Sequence, residues 1–429
     1  PQDRRNLNDL YQVPYLRAMS KPGAMSKPGA MSKLATVLKY GLRLFAAGVF
    51  YACDYLVPKD NRIVLVTRPD GDDQGVSLSL ALEKLHWKGK IHWLVHQDPA
   101  PFAEWQQRRG LGNVNICFSN LYSLRGIWAY FRANYVFYTH GALFNYAAPR
   151  RKLVVNLWHG MPIKKIWRGV PGSELPLSTY LISTSAFFSD VLVQASGFNH
   201  DRLLVTGLPR NDFLTAARPA SVEHVARLRG GADRLIFFMP TYRNSVRGYM
   251  TKDGIETNTV LGLSEADARR LHSWLKKNHC KLLVKPHPMS INAGKPFEDD
   301  EHWAMIDEQA LFKHGIGLYE LLAQADLLVT DVSSVYVDFL ITQRPQILYF
   351  PDMERYEATR GLLLHPLEDY SPGPIAQTFS ELQTHLDAWM AGDDGWQARR
   401  RQLRDLMIPA SRQSAAESLL AALAIRGTQ

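Results

Sequence analysis

Between residues 62 and 350, strand-length apolar runs almost free of charge alternate with longer segments of helical spacing. Runs of this kind suit strands covered on both faces, the condition of a parallel sheet flanked by helices. The first series places strands at 62–68, 90–96, 114–118, 135–141, 153–158, 180–185 and 203–207, with helices such as 76–85 and 121–133 between them. It predicts a doubly wound α/β domain over 57–207. The second series places strands at 235–239, 281–285, 326–330 and 346–350, with helices at 221–229, 264–277, 318–325 and 334–340. It predicts a second doubly wound domain over 208–395. Leu208-Pro209-Arg210-Asn211-Asp212 reads as the hinge, and 396–429 as a charged helical tail. Sheets of this kind bind ligands in the crevice outside the carboxyl ends of their strands.

The segment before the first strand is different. Ala18-Met19-Ser20-Lys21-Pro22-Gly23 recurs at Ala24 to Gly29, and Pro and Gly at that spacing make a flexible tether. From residue 33, Lys33, Thr36, Lys39 and Arg43 form a basic stripe, while Leu44 to Cys53 carries no charge. This is shorter than the roughly 20 apolar residues of a spanning helix. It reads as an amphipathic helix over 33–56, lying in a membrane interface or packed on the first domain. The formal net charge of +9 favours anionic partners. The basic residues are scattered rather than gathered in an arm, which argues against nucleic acid. Cys53, Cys117 and Cys280 form no CxxC and predict neither a disulfide framework nor a zinc knuckle.

Chemistry concentrates where strands end. The run Leu153 to Leu157 delivers Trp158-His159-Gly160, and Lys164, Lys165 and Arg168 follow, so His159 sits in positive potential beside an anionic substrate. In the second half, Phe237-Phe238-Met239 runs into Pro240-Thr241-Tyr242-Arg243, and Leu282-Leu283-Val284 into Lys285-Pro286-His287-Pro288. Leu327-Leu328-Val329 runs into Thr330-Asp331-Val332-Ser333-Ser334. Carboxyl ends in one parallel sheet share an edge, so Arg243, Lys285, His287, Ser333 and Ser334 are expected to converge. An arginine fork, a fixed histidine and a helix start bearing two serines all suit a diphosphate. There is no P-loop, no GxGxxG after a strand and no DxD pair in the expected cleft. Asp72-Asp73 reads as a solvated loop. No metal or other cofactor is expected, and cationic side chains would neutralise a leaving group.

Trp158-His159-Gly160-Met161-Pro162-Ile163-Lys164 resembles the WHGTPLK motif of the CDP-glycerol glycerophosphotransferases, the teichoic acid and capsule polyol-phosphate transferases of primase and polymerase type. Further similarities follow in order: Gly207 to Asp212, Met239 to Arg243, Lys285 to Pro288, Thr330 to Phe339, Tyr356 to Gly361, and Ser371 to Pro374. Met161 departs from the family's usual Thr. The resemblance implies a GT-B-like pair of Rossmann-like domains, the first for the acceptor and the second for a CDP-linked donor. It implies transfer of a polyol phosphate to a hydroxyl of a lipid-linked glycan or growing polymer, with release of CMP, at the cytoplasmic face of the membrane. By that resemblance His159 is the general base, and His287, also catalytic, helps hold the pyrophosphate and stabilise its developing charge. Arg243, Lys285, Thr330, Ser333 and Ser334 hold the pyrophosphate, Gly373 and Pro374 shape the nucleotide pocket, and Asp331 and Asp338 contact the polyol or orient a neighbour. CDP-glycerol and CDP-ribitol both remain open as donors. A GT-B glycosyltransferase using a nucleotide sugar and a non-catalytic basic membrane-surface protein are the competing readings.

Overall fold

The structure is a computed structural model that describes residues 45–143, 151–170, 173, 175–216, 218–241, 262–286, 298–409 and 413–427. Residues up to Leu56 form one unit and Val57–Gln429 a second. In the first, 45–56 are helical, with Phe45, Val49, Tyr51, Tyr55 and Leu56 exposed. The basic stripe at Lys33 to Arg43 lies outside the described residues. Among those described, no helix is long and apolar enough to cross a membrane.

The second unit contains two parallel sheets. The first comprises β1 (Asp60–Val66), β2 (Lys90–Val95), β3 (Ile116–Asn120), β4 (Ala133–Tyr138), β5 (Leu153–Asn156), β6 (Tyr180–Ser183) and β7 (Leu203–Val205), in the order β3-β2-β1-β4-β5-β6-β7. The second comprises β8 (Arg234–Met239), β9 (Cys280–Val284), β10 (Trp303–Met305), β11 (Leu327–Thr330), β12 (Gln346–Tyr349) and β13 (Ile375–Ala376), in the order β10-β9-β8-β11-β12-β13. All pairings within both sheets are parallel. The central strands are buried almost throughout, as their lack of charge requires: β1 reads Ile63, Val64 and Leu65 at 0% exposure, and β9 is buried along its whole length. β10 and β13 have no counterpart among the strands expected from the sequence.

Each sheet reverses its order at one point, between β1 and β4 in the first and between β8 and β11 in the second. That reversal opens the crevice where ligands of doubly wound sheets sit. Side-chain caps set the intervening helices. Asp72 accepts from the Gly75 N–H at the start of Asp73–Lys84, Ser123 from Gly126 at Leu124–Arg132, and Ser264 from Asp267 at Glu265–Lys277. Each such cap contributes about 1 kcal/mol.

The tail returns to the first sheet's side of the molecule. The Thr184 hydroxyl donates to the Met407 carbonyl at 2.6 Å, closing the helix Gln397–Met407 onto the end of β6. Asp212 accepts from the Ala415 and Ala416 N–H groups at 2.6 and 3.2 Å, holding the start of Ala415–Ala422.

Candidate active site

The site is built from the end of β5. Gln74, fully buried after β1, donates from Nε2 to the carbonyls of Leu157 and Trp158 at 3.0 and 2.9 Å. Asn156 accepts the Trp158 N–H at 2.9 Å. These bonds hold Trp158 at a φ of 54°, a left-handed conformation that costs a bulky residue on the order of 1–3 kcal/mol. The kink swings His159 out of the sheet while Met161 and Ile163, both essentially unexposed, anchor the far side of the turn in the core. Met161 is therefore a packing residue here, and its side chain offers that turn no hydroxyl.

His159 is exposed at the carboxyl edge of the first sheet, with enough protein near it to disfavour charging its ring. Its ring stacks on His140, at the end of β4, with centroids 4.3 Å apart and planes 15° from parallel, and also lies 4.1 Å from the Trp158 ring. Its pKa is held well below the ordinary 6.5 by burial first, and then by His140, Arg210 and Lys164. Water reaches the ring, so dehydration counts for less than in a core histidine; the repulsive neighbours act in the same direction. A hydrogen bond to the Thr139 backbone opposes them in part. That bond fixes one ring nitrogen as donor and leaves the other as a base.

Gly160 brings the two sheets together. Its φ is 137°, and a Cβ there would lie 2.0 Å from Ser334 Oγ and 3.1 Å from Arg210 Nη2. The His-Gly turn of the first sheet therefore touches the serine that follows β11 of the second. Ser333 and Ser334 are partly exposed, and Ser334 makes no capping bond to the short helix Val335–Phe339. Thr330, 1% exposed, donates to the Met239 carbonyl at 2.6 Å. Asp331 accepts from the Thr241 N–H and hydroxyl at 3.0 and 2.7 Å. Both residues thus tie the end of β11 to the end of β8. A second contact lies beside the cleft. Lys164 and Leu362 form an antiparallel bridge, and the Lys165 N–H donates to the Gly361 carbonyl at 3.0 Å.

Asp338 is fully buried. It accepts from Arg210 Nη2 at 2.7 Å, Asn211 Nδ2 at 3.1 Å and the Tyr319 hydroxyl at 2.5 Å. It orients Arg210 and is covered by it. Lys285 stands at the end of β9, where its ammonium pairs with Glu308 at 2.6 Å and donates to the Pro286 carbonyl at 2.9 Å. Arg243 and His287 lie outside the described residues.

Gly373 and Pro374 are not brought to this cleft. A Cβ on Gly373 would lie 1.8 Å from the carbonyl of Gln346, the first residue of β12, and Pro374 accepts from the Leu348 N–H at 2.9 Å just before β13. Both therefore sit at the amino edge of the second sheet, opposite the strand ends that carry His159 and Ser334. This corrects the expectation that they shape a pocket there: in a parallel sheet the two edges lie at opposite ends of the strands.

The reading of Asp72-Asp73 as a solvated loop is also corrected. Asp73, 7% exposed, pairs with Arg109 at 2.7 Å and accepts the Tyr319 N–H at 2.9 Å. Asp72 caps its helix within the field of Arg210, and burial raises its carboxyl to about 7. His140, Gln74 and Arg210 are the site residues that local sequence patterns missed. One signal was present: His140 and Arg210 both follow apolar strands.

The model of the CDP-glycerol:poly(glycerophosphate) glycerophosphotransferase family matches residues 49–424. The chain belongs to that family. It is 25% identical over 285 residues to a teichoic acid poly(glycerol phosphate) polymerase of Bacillus spizizenii, covering 62% of this chain and 68% of the relative. It is 25% identical over 323 residues to a teichoic acid glycerol-phosphate transferase of Staphylococcus aureus, covering 69% and 78% respectively. A Staphylococcus aureus ribitol-phosphate polymerase is equally similar at 25%, over 63% of this chain and 49% of its own length. The match to the Bacillus subtilis polymerase takes in only 39% of that protein. Among solved structures, the wall teichoic acid polymerase TagF superposes with a TM-score of 0.67 at 18% identity, covering 93% of this chain and 98% of that one. The fold is accordingly GT-B-like, and membership of the family makes the chain a transferase.

Proposed function

We propose that this glycerophosphotransferase-family chain moves a polyol phosphate, glycerol phosphate first, from a CDP-linked donor to a hydroxyl of a lipid-linked glycan or growing polymer. The contact of the His159-Gly160 turn with Ser334 and Arg210 carries the reading. It sets a neutral imidazole beside hydroxyl and guanidinium donors at the carboxyl edge of the first sheet. His159 takes the proton of the acceptor hydroxyl. The hydroxyl oxygen attacks the phosphorus that bears the polyol, the bond from that phosphorus to the bridging oxygen breaks, and CMP leaves with the electron pair. Ser333 and Ser334, with Arg243 and His287, hold the phosphates and offset the charge that grows on the leaving group. No metal is assigned to this step.

The test is CMP release by the purified chain. CDP-glycerol, CDP-ribitol and a panel of nucleotide sugars are offered in turn, with and without an oligomeric polyol-phosphate acceptor. Acceptor-dependent CMP from CDP-glycerol is the expected result. The ribitol-phosphate relatives make CDP-ribitol the second donor to weigh. Turnover of a nucleotide sugar alone would overturn the reading.

We further propose that 33–56 holds the enzyme at an anionic membrane surface, consistent with a net charge of +9 and the exposed Phe45, Tyr55 and Leu56. Removing residues 1–56 should abolish sedimentation with vesicles containing phosphatidylglycerol. Unchanged binding by the shortened chain would refute the assignment.

A further inference from the structure

Arg210 belongs to neither sheet. It is the second residue of the 3-10 turn Pro209–Leu214, in the segment that links them, and Pro209 opens that turn. Its guanidinium is held from several sides. Nη2 pairs with Asp338 of the second domain at 2.7 Å, and the group lies 4.7 Å from the centre of the Tyr319 ring. The Arg210 backbone N–H donates to Oε1 of Gln74, the residue that fixes the end of β5, at 3.5 Å. Asp338 is shared with Asn211 and with the Tyr319 phenol, whose pKa is pushed well above 10.0, by burial first, so that it stays a donor. Burial opposes the charge on Arg210, but its neighbours, the Asp338 carboxylate at 2.7 Å among them, outweigh it and hold the guanidinium ionised.

Such anchoring exceeds what a domain tether needs, and it aims the cation at one place. Arg210 Nη2 and Ser334 Oγ crowd the same point above Gly160, 3.1 and 2.0 Å from where a side chain would begin. Any residue but glycine would fill that point. The backbone turn at Gly160, the Ser334 hydroxyl and the Arg210 guanidinium are therefore packed side by side, next to His159 in the chain. The Nε–H of Arg210 finds no acceptor among the described residues, so the fork is not fully spent on Asp338. A planar fork pre-set beside a hydroxyl is the usual protein answer to phosphate oxygens.

We infer that Arg210 is a binding residue of the transfer site, contacting the donor's diphosphate beside Ser334 and His159 while Asp338 and Tyr319 hold it in place. This rests on the reading of the chain as a transferase of CDP-linked donors. It makes the linker a working part of the cleft, so that residues from both sheets and from their connection meet on one diphosphate.

Arg210→Gln alone would strand the Asp338 carboxylate in the interior, and loss of fold would then mimic loss of binding. The decisive variant is therefore Arg210→Gln with Asp338→Asn, which removes both buried charges together; Arg210→Lys is its companion. Isothermal titration with CDP and with pyrophosphate is run on each, beside steady-state CMP release. The double variant is expected to melt within a few degrees of the parent, bind CDP and pyrophosphate at least about tenfold more weakly, and lose about 100-fold in kcat/KM. Arg210→Lys, which keeps the charge and loses the fork, should fall between. Parent-like CDP and pyrophosphate affinity in a folded double variant would overturn the inference and leave Arg210 a tether between domains. The proposed activity would still stand if the parent turned over a CDP-polyol. If the parent is silent with every CDP-polyol, the donor assignment falls. Pyrophosphate binding lost in the double variant would then still uphold Arg210 as an anion-holding residue.

Discussion

Replacing His159 by alanine should lower acceptor-dependent CMP release about a thousandfold while leaving the fold and CDP binding nearly intact. General-base catalysis is worth roughly 10²–10⁴ in rate, so the loss belongs in the upper half of that range if no neighbour substitutes. The nearest imidazole is His140, stacked at 4.3 Å at the end of β4, whereas the contact with Ser334 is made at Gly160, the residue next to His159. The fold should survive because the His159 ring is exposed, whereas Trp158, Met161 and Ile163 do the packing of the turn. The pH dependence follows from the environment of the ring. Burial and the repulsion of His140, Arg210 and Lys164 lower its pKa below 6.5, so the base is neutral at pH 7. Activity should hold on moving down to 6.5 and fall only below it, as the ring takes up the proton that disables it. The check is kcat/KM over about pH 5 to 9 for the parent, with single-pH assays of the variant. A variant within tenfold of the parent, or an acid limb centred above pH 7, would remove His159 from the base role.

The parts of this molecule that were legible in the sequence share a cause. A strand covered on both faces must be apolar throughout, so β1, β4, β5, β8 and β11 announce themselves, and a polar turn after each marks a place on the ligand edge. β10 and β13 escape because Trp303–Met305 is closely flanked by Asp299 to His302 and Asp307, and Ile375–Ala376 is only two residues long and follows Pro374, so neither stands out as an apolar run. Arg210 reads as a hinge residue because its partners, Asp338 and Tyr319, lie more than a hundred positions further on. Asp73 looks solvated for the same reason, with Arg109 and Tyr319 brought to it only by the fold. Gly373 and Pro374 were assigned by motif resemblance alone, which carries no information about which edge of a sheet a loop occupies. Asp338 reads from the sequence as contacting the polyol or orienting a neighbour, and its partners Arg210, Asn211 and Tyr319 are not legible there because only the fold brings them to it.

Glu320→Ala should cost about 3–5 kcal/mol of stability, the largest loss expected from a single change away from the cleft. Glu320 is wholly unexposed and is one of four charges, with Asp73, Arg109 and Arg218, that link the two domains. Arg109 lies 3.0 Å from Glu320 and 2.7 Å from Asp73, while Arg218, in the linker, donates from two guanidinium nitrogens to the Glu320 carboxylate. The Gly317 N–H adds a bond to the same carboxylate at 2.9 Å. Burial pushes the Glu320 carboxyl up, but Arg218, Arg109 and the Gly317 N–H together hold it below 4.5. Its contribution is therefore complete above pH 4.5 and fades as the pH falls through its lower folded-state value. Space reinforces charge. A Cβ on Gly317 would lie 2.1 Å from Asp73 Oδ1, and the Phe312 and Trp105 rings stack at 5.7 Å across the same interface. Alanine at 320 leaves Arg109, 1% exposed, with one carboxylate where it had two, and strips Arg218 of its counter-ion. Urea denaturation at pH 7 measures the loss, and Glu320→Gln, which keeps hydrogen-bonding capacity without the charge, should fall between parent and alanine. A cost under about 1 kcal/mol would mean that the network is marginal and that aromatic packing alone sets the domain angle. The network also bears on catalysis, because His159 and Ser334 reside on different sheets and meet only while that angle holds. In Glu320→Ala, CMP release should therefore begin to fail at lower urea than global unfolding, whereas in the parent the two transitions should coincide.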